Sequence, residues 1–300
     1  MARVGISDKN GDGMVNVGKV KEIWRYPVKG MAGESLEACA LTEKGLEGDR
    51  IWALRDSERK EIQSCKFRPQ LLLCAARCNG ERSATSGGNV EVVFPDGSVL
   101  GSDDSRIHAK LSALTGYAST LEPLRPESDV DFYRRHKLDD HTWLKELAAT
   151  FDREPGEPLP DFSQIPPPLV DFVSIPGTFF LVTPLHLVTT ATLRHLKGKN
   201  EQADWDARRF RPNFLIETNP DAEGYAEQNW VGKRLTIGAA AVDCAGATPR
   251  CGAVTRAQPQ FKSDTTILRT VVRHADQNVG VYGLIAATGQ VRVGDPVYMS

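Results

Sequence analysis

The sequence predicts a mostly β protein of the α+β class. Three observations support this: short segments alternate apolar and polar side chains, glycine and proline turns separate them closely, and no βαβ alternation is present. Short strands at close spacing with glycine turns are typical of a small barrel or sandwich, which we expect in the first half. The second half is β-rich with a few helices, which favours an α+β or barrel-like unit.

The first half contains several candidate strands and one candidate helix. Val15–Trp24 alternates apolar with polar or small residues, and Pro27 ends the pattern. Further strands are predicted at Ser35–Leu41, Arg50–Arg55 and Val90–Phe94. Asp103–Thr115 predicts a helix that ends with Gly116 as its C-cap.

The pattern becomes less regular between Glu122 and Gly177. Asp152–Pro168 holds six of the eighteen prolines, which predicts a loop or lid rather than a folded unit. The proline-rich excursion, about residues 152–177, is long enough to control substrate access, and a passive surface loop explains it equally well.

In the second half, Thr183-Pro184 predicts the start of a helix, because a hydroxyl residue can cap it and proline suits its first turn. Apolar residues near helical spacing extend this helix to about Leu196, with Thr189 and Thr190 midway along it. Strands are predicted at Phe214–Glu217, Arg234–Val242, Val279–Ala286 and Gln290–Tyr298.

The composition is that of an ordinary soluble protein with two domains or one large one. The 37 basic and 39 acidic residues give a formal charge of −2, which argues against nucleic acid or an acidic membrane surface as partner. No apolar run approaches the roughly 18 residues of a membrane span. Met1–Gly18 lacks the apolar core of a signal peptide. We therefore expect a cytoplasmic protein.

Neither zinc nor calcium is expected. The six cysteines form no Cys-x-x-Cys pair and have no histidine-rich partner, although a free thiol in a reducing compartment suits a soft metal. Asp8–Gly13 reproduces the first half of a calcium loop, but Lys19 stands where the bidentate carboxylate belongs. We interpret residues 1–14 as a flexible polar tail.

The strongest chemical signal surrounds Cys251. Thr248-Pro249 favours extended or turn backbone just before it, so the thiol is expected on a loop. The adjacent Arg250 favours the thiolate, the form that binds metals and attacks electrophiles. From the residues alone, a small half-buried side chain is the alternative. Cys244 is interpreted as structural, and His186 as an ordinary core or surface histidine.

Basic residues beside glycine supply the other candidates. Lys29-Gly30 and Arg50 each place a cation at a turn, and an anion needs such a cation together with open backbone N–H groups. Solvated surface charge is the alternative.

A second cluster of cations precedes a predicted strand. The segment Arg208–Asn213 holds three arginines around Phe210, and their mutual repulsion calls for an anion or for the nearby carboxylates of Asp204 and Asp206.

Motifs along the chain resemble those of MOSC domains, which are named for the C-terminal part of molybdenum-cofactor sulfurase. The motifs are Pro249-Arg250-Cys251, Thr255-Arg256-Ala257-Gln258, Ile267-Leu268-Arg269-Thr270, Val279-Gly280-Val281-Tyr282 and Val291–Val297. The chain is similar to the branch with the mitochondrial amidoxime-reducing component and its bacterial relatives. The resemblance implies an N-terminal MOSC β-barrel domain, residues 15–125, packed on a MOSC domain with peripheral helices, residues 126–300.

The same resemblance implies a molybdenum-dependent oxidoreductase that reduces N-hydroxylated compounds to amine or amidine plus water. Cys251 would be the catalytic residue and the molybdenum ligand, with the molybdopterin form of molybdenum cofactor between the domains. The implied cofactor contacts are Lys29, Gly30, Arg50, Thr189, Thr190, Arg209, Arg211, Asn213, Pro249, Arg250, Cys251 and Tyr282. Relatives such as the mitochondrial enzyme carry serine in place of Gly30.

Electrons are expected from a separate ferredoxin, flavin reductase or b5-type protein, because the sequence has no run of cysteines to hold an iron–sulfur cluster. Two alternatives stay open. In the first, the protein is a non-catalytic carrier of the cofactor. In the second, it is a sulfur carrier with a persulfide on Cys251.

Overall fold

The computed structural model describes residues 13–79, 88–136, 140–162, 168–180 and 182–300. The strands are β1 (Val15–Arg25), β2 (Glu34–Leu36), β3 (Ala38–Thr42), β4 (Gly45–Leu46), β5 (Trp52–Asp56), β6 (Ala75–Cys78), β7 (Val90–Val93), β8 (Val99–Gly101), β9 (Ser119–Pro123), β10 (Leu185–Thr189), β11 (Phe214–Thr218), β12 (Arg234–Ile237), β13 (Ala240–Pro249), β14 (Asn278–Ala287), β15 (Gly289–Arg292) and β16 (Pro296–Met299). The α-helices are α1 (Ile107–Thr115), α2 (Val130–Tyr133), α3 (Asp140–Ala149), α4 (Pro168–Asp171), α5 (Thr190–Lys199) and α6 (Thr266–His274). The mostly β prediction is confirmed.

Among the described residues, seven strands close into a barrel in the order β11-β10-β14-β13-β12-β16-β1, with β1 pairing back onto β11. The barrel therefore uses β1 together with strands that lie between residues 185 and 299. Gly18 makes this closure possible, because a Cβ there would lie 2.1 Å from the carbonyl oxygen of Glu217 on β11. The sheet thus contains strands from both predicted domains, 15–125 and 126–300. The boundary between these domains stays a prediction.

The barrel interior is filled by apolar side chains from alternate positions of its strands. The contributors include Val20, Ile23, Leu187, Phe214, Ile216, Leu235, Val242, Val281 and Val297, all essentially inaccessible to solvent. Burying each such side chain contributes about 1.5–3 kcal/mol. Cys244 belongs to this core, and burial raises the pKa of its thiol to about 12, which agrees with a structural role.

A second apolar core lies in the first half, where β5 pairs with β9 and the sheet β6-β7-β8 packs near α1. Helix α1 buries Ile107 and Leu111, one turn apart, and ends at Gly116, whose φ of 75° is left-handed. The predicted end of this helix is confirmed. Strand β15 pairs with β3, which joins this half to the C-terminal part of the chain.

The helix predicted from Thr183 to Leu196 is wrong in its first half. Leu185–Thr189 is strand β10, which lies between β11 and β14 and is buried on both faces. An apolar run of this length fits a buried strand and a helix equally well, and only its neighbours decide between them. Helix α5 begins at Thr190, and Thr189 is its N-cap: its hydroxyl oxygen accepts from the Thr192 N–H at 3.2 Å.

Other boundaries also differ from the sequence predictions. Gly238 and Gly294, both with positive φ, divide the segments predicted as the single strands Arg234–Val242 and Gln290–Tyr298. Helix α6 was not predicted, although Ile267, Leu268, Val271 and Val272 form a buried helical face. The less regular region between residues 122 and 177 includes α2, α3 and α4, whereas residues 152–162 form the expected loop.

Within the described ranges, no helix combines the length and the apolar character needed to cross a membrane. The calcium-like stretch Asp8–Gly13 lies outside the described residues except for Gly13.

Candidate active site

A cleft with a cavity volume of about 190 Å³ lies between the first half of the chain and one end of the barrel. The first half contributes Lys29, Gly30, Arg50 and residues 64–66, and Phe179 adds one wall. The barrel side contributes His186, residues 209–211, Thr248–Cys251 and Tyr282. Nine of the twelve predicted contact residues therefore meet in one place: Lys29, Gly30, Arg50, Arg209, Arg211, Pro249, Arg250, Cys251 and Tyr282.

Cys251 lines this cleft where β13 gives way to a short 3₁₀ helix, Gly252–Thr255. Its backbone is extended, with φ −112° and ψ 177°, and its side chain is half-buried. The expectation that this thiol lies on irregular backbone is confirmed. A thiol in this position is accessible to a ligand in the cleft.

Arg250 is buried next to Cys251. One of its Nη atoms donates to the carbonyl oxygen of Phe210, and the other lies 3.4 Å from Nε2 of His186. Burial lowers the pKa of Arg250, and burial together with the Arg250 charge holds the pKa of His186 well below its usual range. His186 is therefore neutral. Its Nε2 accepts from the guanidinium when the ring proton is on Nδ1, and donates to the carbonyl oxygen of Val279 at 3.3 Å when the proton is on Nε2.

Lys29 and Arg50 supply positive charge from the opposite wall. The Lys29 ammonium is buried and donates to the carbonyl oxygen of Phe179 at 2.8 Å. Burial, reinforced by the nearby Arg50 charge, lowers the pKa of Lys29 from its usual 10.5 to about 7. Arg50 forms an ion pair with Asp49 and has a left-handed φ of 51°.

The low pKa of Lys29 predicts a specific pH dependence of stability. Between pH 7 and 10 the unfolded chain keeps a lysine proton that the folded chain has lost, so this residue makes folding more favourable as pH rises. Denaturant unfolding of the protein purified without a ligand, at pH 7 and pH 9, should show this rise, and Lys29→Met should reduce it. The exposed Lys19→Met is the control, and an equal rise in wild type and Lys29→Met would contradict the prediction.

The arginine cluster is divided between local carboxylates and the cleft. Arg208 forms an ion pair with Asp206, and Arg209 lies 3.4 Å from Asp204, as the alternative interpretation expected. Arg211, in a left-handed conformation, donates instead to the carbonyl oxygen of Met31 and lies over the ring of Tyr26. Arg211 thus carries its charge into the cleft and connects the two halves.

Several buried polar atoms of the cleft residues have no hydrogen-bond partner in the described part of the chain. They are Nε and Nη1 of Arg209, Nε of Arg250 and Oγ1 of Thr248. A buried polar group without a partner costs about 1–3 kcal/mol. A ligand that brings hydrogen-bond acceptors would remove part of this cost.

At position 30, glycine is the only residue type that fits without rearrangement of its neighbours. Its φ is 90°, and a Cβ there would lie 2.8 Å from the backbone nitrogen of Cys65. A left-handed conformation costs a non-glycine residue about 1–3 kcal/mol, and the close contact adds to this cost. Gly30→Ser should therefore lower the free energy of unfolding by more than that amount. Gly97→Ser is the matched control, because Gly97 has φ 81° and open space around it. Equal losses of denaturant stability in the two variants would show that crowding at Cys65 is unimportant.

Two family models match the chain. The MOSC N-terminal beta barrel domain matches residues 17–114, and the MOSC domain matches residues 178–298. The chain is a MOSC-domain protein. All residues that line the cleft of this MOSC protein fall within one or the other match.

The MOSC protein is similar to curated proteins along nearly its whole length. Mitochondrial amidoxime-reducing component 1 of Danio rerio is 23% identical over 297 residues, which cover 95% of this chain and 86% of that protein. The protein of the same name from Homo sapiens is 23% identical and covers 94% and 83%. Among solved structures, the YUAD protein from Bacillus subtilis covers 94% of this chain and 95% of its own, with 11% identity and a TM-score of 0.43.

The remaining predicted contacts of the MOSC protein do not line the cleft. Thr189 donates to the buried carboxylate of Glu227, and the Thr190 hydroxyl lies 3.3 Å from that of Thr218. Asn213 accepts from the His186 N–H and donates to the carbonyl oxygen of Trp24, each at 3.2 Å. These side chains bond within the protein, and a cofactor contact for them stays a prediction.

Residues that the sequence did not predict at the site also reach the cleft. They include Cys65, Phe179 and His186, which was interpreted as an ordinary core or surface histidine. His186 lies between Leu185 and Leu187 on β10. Had this segment been predicted as a strand, the alternation would have placed His186 on the opposite face from these two leucines. Burial raises the pKa of the Cys65 thiol. No motif marks Cys65, because its place depends on the contact with Gly30.

Proposed function

We propose that this MOSC protein is a molybdenum-cofactor-dependent oxidoreductase that reduces N-hydroxylated compounds, with the Cys251 thiolate as the molybdenum ligand. The observation that carries the proposal is the meeting of the accessible Cys251 thiol with cations from both halves of the chain in a single cleft. Membership of a family associated with molybdenum cofactor binding supports the cofactor, and the names of the curated relatives support the reaction class.

The residues of the cleft fit such a group in charge and donor type. A thiolate is a soft ligand of the kind that completes a sulfur-rich metal site. Lys29, Arg50 and Arg211 would neutralise the anionic cofactor, and the unpartnered donors of Arg209 and Arg250 would bind its acceptor atoms. The cavity of about 190 Å³ is smaller than the about 300–1,000 Å³ of pockets that enclose a whole ligand, so part of the cofactor would lie in the open part of the cleft.

The protein itself would bind, orient and supply protons. When bound, the cofactor would supply the two-electron redox chemistry that cleavage of an N–O bond requires. Reduction of R–NHOH to R–NH₂ and water consumes two electrons and two protons. Without a bound anion the pKa of Lys29 is about 7, and an anionic cofactor in the same cleft would favour its protonated form, so Nζ would hold a proton there. His186 stays neutral beside Arg250 at the cleft wall.

The proposal includes a separate electron donor, a ferredoxin, flavin reductase or b5-type protein. It also includes a cytoplasmic location.

The test is metal analysis followed by a reduction assay. Protein made in a host that synthesises the cofactor should contain stoichiometric molybdenum. After chemical reduction it should convert benzamidoxime to benzamidine. Stoichiometric molybdenum without benzamidine would instead identify a cofactor carrier. A sulfane adduct on Cys251 by mass spectrometry, without molybdenum, would identify a sulfur carrier.

A further inference from the structure

The peptide groups on both sides of Cys251 are bonded to one distant segment of the chain. The Gly252 N–H donates to the carbonyl oxygen of Thr150 at 2.9 Å. The carbonyl oxygen of Arg250 accepts from Nη2 of Arg153 at 3.1 Å. Residues 150–153 therefore hold the backbone on both the N-terminal and the C-terminal side of Cys251.

Arg153 connects this segment to a third one. Its Nη2 also donates to Oε1 of Gln277 at 3.0 Å, and the carbonyl oxygen of Gln277 accepts from the Arg250 N–H at 2.8 Å. Its Nε and Nη1 donate to carbonyl oxygens of its own loop, at Pro158 and Phe151, both at 2.8 Å. The planar guanidinium thus holds several backbone segments in a fixed relation.

The far side of the segment is held by helix α6. Arg269 donates to the carbonyl oxygen of Asp152 and forms an ion pair with Glu157. Asp152 has a left-handed φ of 55°, a conformation that non-glycine residues keep only when their surroundings fix it. A Cβ on Gly252 would lie 2.9 Å from the Cβ of Asp152, so the segment and the Cys251 loop pack with no spare room.

We propose that residues 150–153 are a clamp that positions Cys251, and that Arg153 is its positioning residue. The clamp lies between the two family matches, 17–114 and 178–298, in the part of the chain that neither covers. Its consequence for catalysis rests on the proposed function, whereas its effect on the Cys251 loop does not.

A fixed backbone at Cys251 limits the directions in which its sulfur points. A metal ligand must hold its geometry closely, and supporting hydrogen bonds provide this precision. Loss of the clamp should therefore loosen the Cys251 loop in the cofactor-free protein. In loaded protein it should lower kcat more than it changes KM.

The test compares Arg153→Met and Arg153→Lys with Arg134→Met in the full chain. Arg134 is an arginine of the same region whose guanidinium pairs with Asp131 at the surface. In protein purified without cofactor, amide hydrogen exchange of Gly252 and the rate of Cys251 alkylation by iodoacetamide are measured by peptide mapping. Both should rise about tenfold in Arg153→Met, as expected from loss of the charge-assisted hydrogen bond to the carbonyl oxygen of Arg250. Arg153→Lys should be intermediate, and Arg134→Met should match wild type.

A folded Arg153→Met protein with unchanged Gly252 exchange and unchanged Cys251 alkylation would overturn the clamp. If that variant does not fold, Gln277→Ala serves as the second test, because it removes one hydrogen-bond partner of Arg153. Gly252 exchange and Cys251 alkylation should rise in Gln277→Ala to a smaller extent. Unchanged values in Gln277→Ala would also overturn the clamp. In molybdenum-loaded protein, kcat for benzamidoxime should fall about tenfold with KM within about twofold. Failure of the wild-type protein to bind molybdenum would refute the proposed function. The exchange and alkylation results would still test the clamp, because they are measured without cofactor.

Discussion

Cys251→Ala is expected to leave purified protein without molybdenum and to lower benzamidoxime reduction by more than about 100-fold. Loss of a residue that only supports a metal ligand costs about 10–100-fold in affinity or activity, so loss of the ligand itself should reach at least the upper end. Cys251 is half-buried outside the apolar cores, so the free energy of unfolding of the cofactor-free protein should change by less than about 1 kcal/mol. Metal analysis, the reduction assay and denaturant unfolding measure the three quantities.

Cys65→Ala is the matched control for this prediction. Cys65 is the second cysteine that lines the cleft, on the opposite wall, and no role as a ligand is proposed for it. It should retain molybdenum. Molybdenum retained in Cys251→Ala, or lost to the same extent in Cys65→Ala, would remove Cys251 from the proposed site.

Arg250→Met is expected to reduce bound molybdenum at least about tenfold with little change in the stability of the cofactor-free protein. The guanidinium is buried and its Nε has no hydrogen-bond partner among the described residues, so its charge costs free energy in the absence of an anion. Methionine removes that cost and leaves the carbonyl oxygen of Phe210 without a donor, a loss of about 1–3 kcal/mol. The two terms oppose each other, so the free energy of unfolding should change by less than about 2 kcal/mol.

Arg208→Met controls for the loss of an arginine near the cleft. Arg208 pairs with Asp206 and does not line the cavity, so molybdenum content should match wild type. If Arg250→Met kept its molybdenum, Arg250 would not bind the anionic cofactor. A large loss of stability in Arg250→Met would instead show that the guanidinium mainly holds Phe210 and His186 in place.

The sequence by itself determined the features that depend on short-range patterns. Alternation of apolar residues predicted β1, and the left-handed requirement at Gly116 predicted the end of α1. The turn at Thr248-Pro249 predicted an accessible Cys251, and glycines beside Lys29 and Arg50 predicted cations at turns. These patterns are local, because backbone sterics and side-chain periodicity act within a few residues.

Only the tertiary structure decided which of these features meet. The buried run at Leu185–Thr189 became a strand because β11 and β14 flank it, and Asn213 turned from the cleft to support His186 because β1 and β10 supply its partners. The meeting of Lys29 with Cys251, and the bonds from Arg153 to the Cys251 loop, join residues far apart in the chain. Barrel closure and burial fix such contacts, and their energies depend on neighbours that no short stretch of sequence contains.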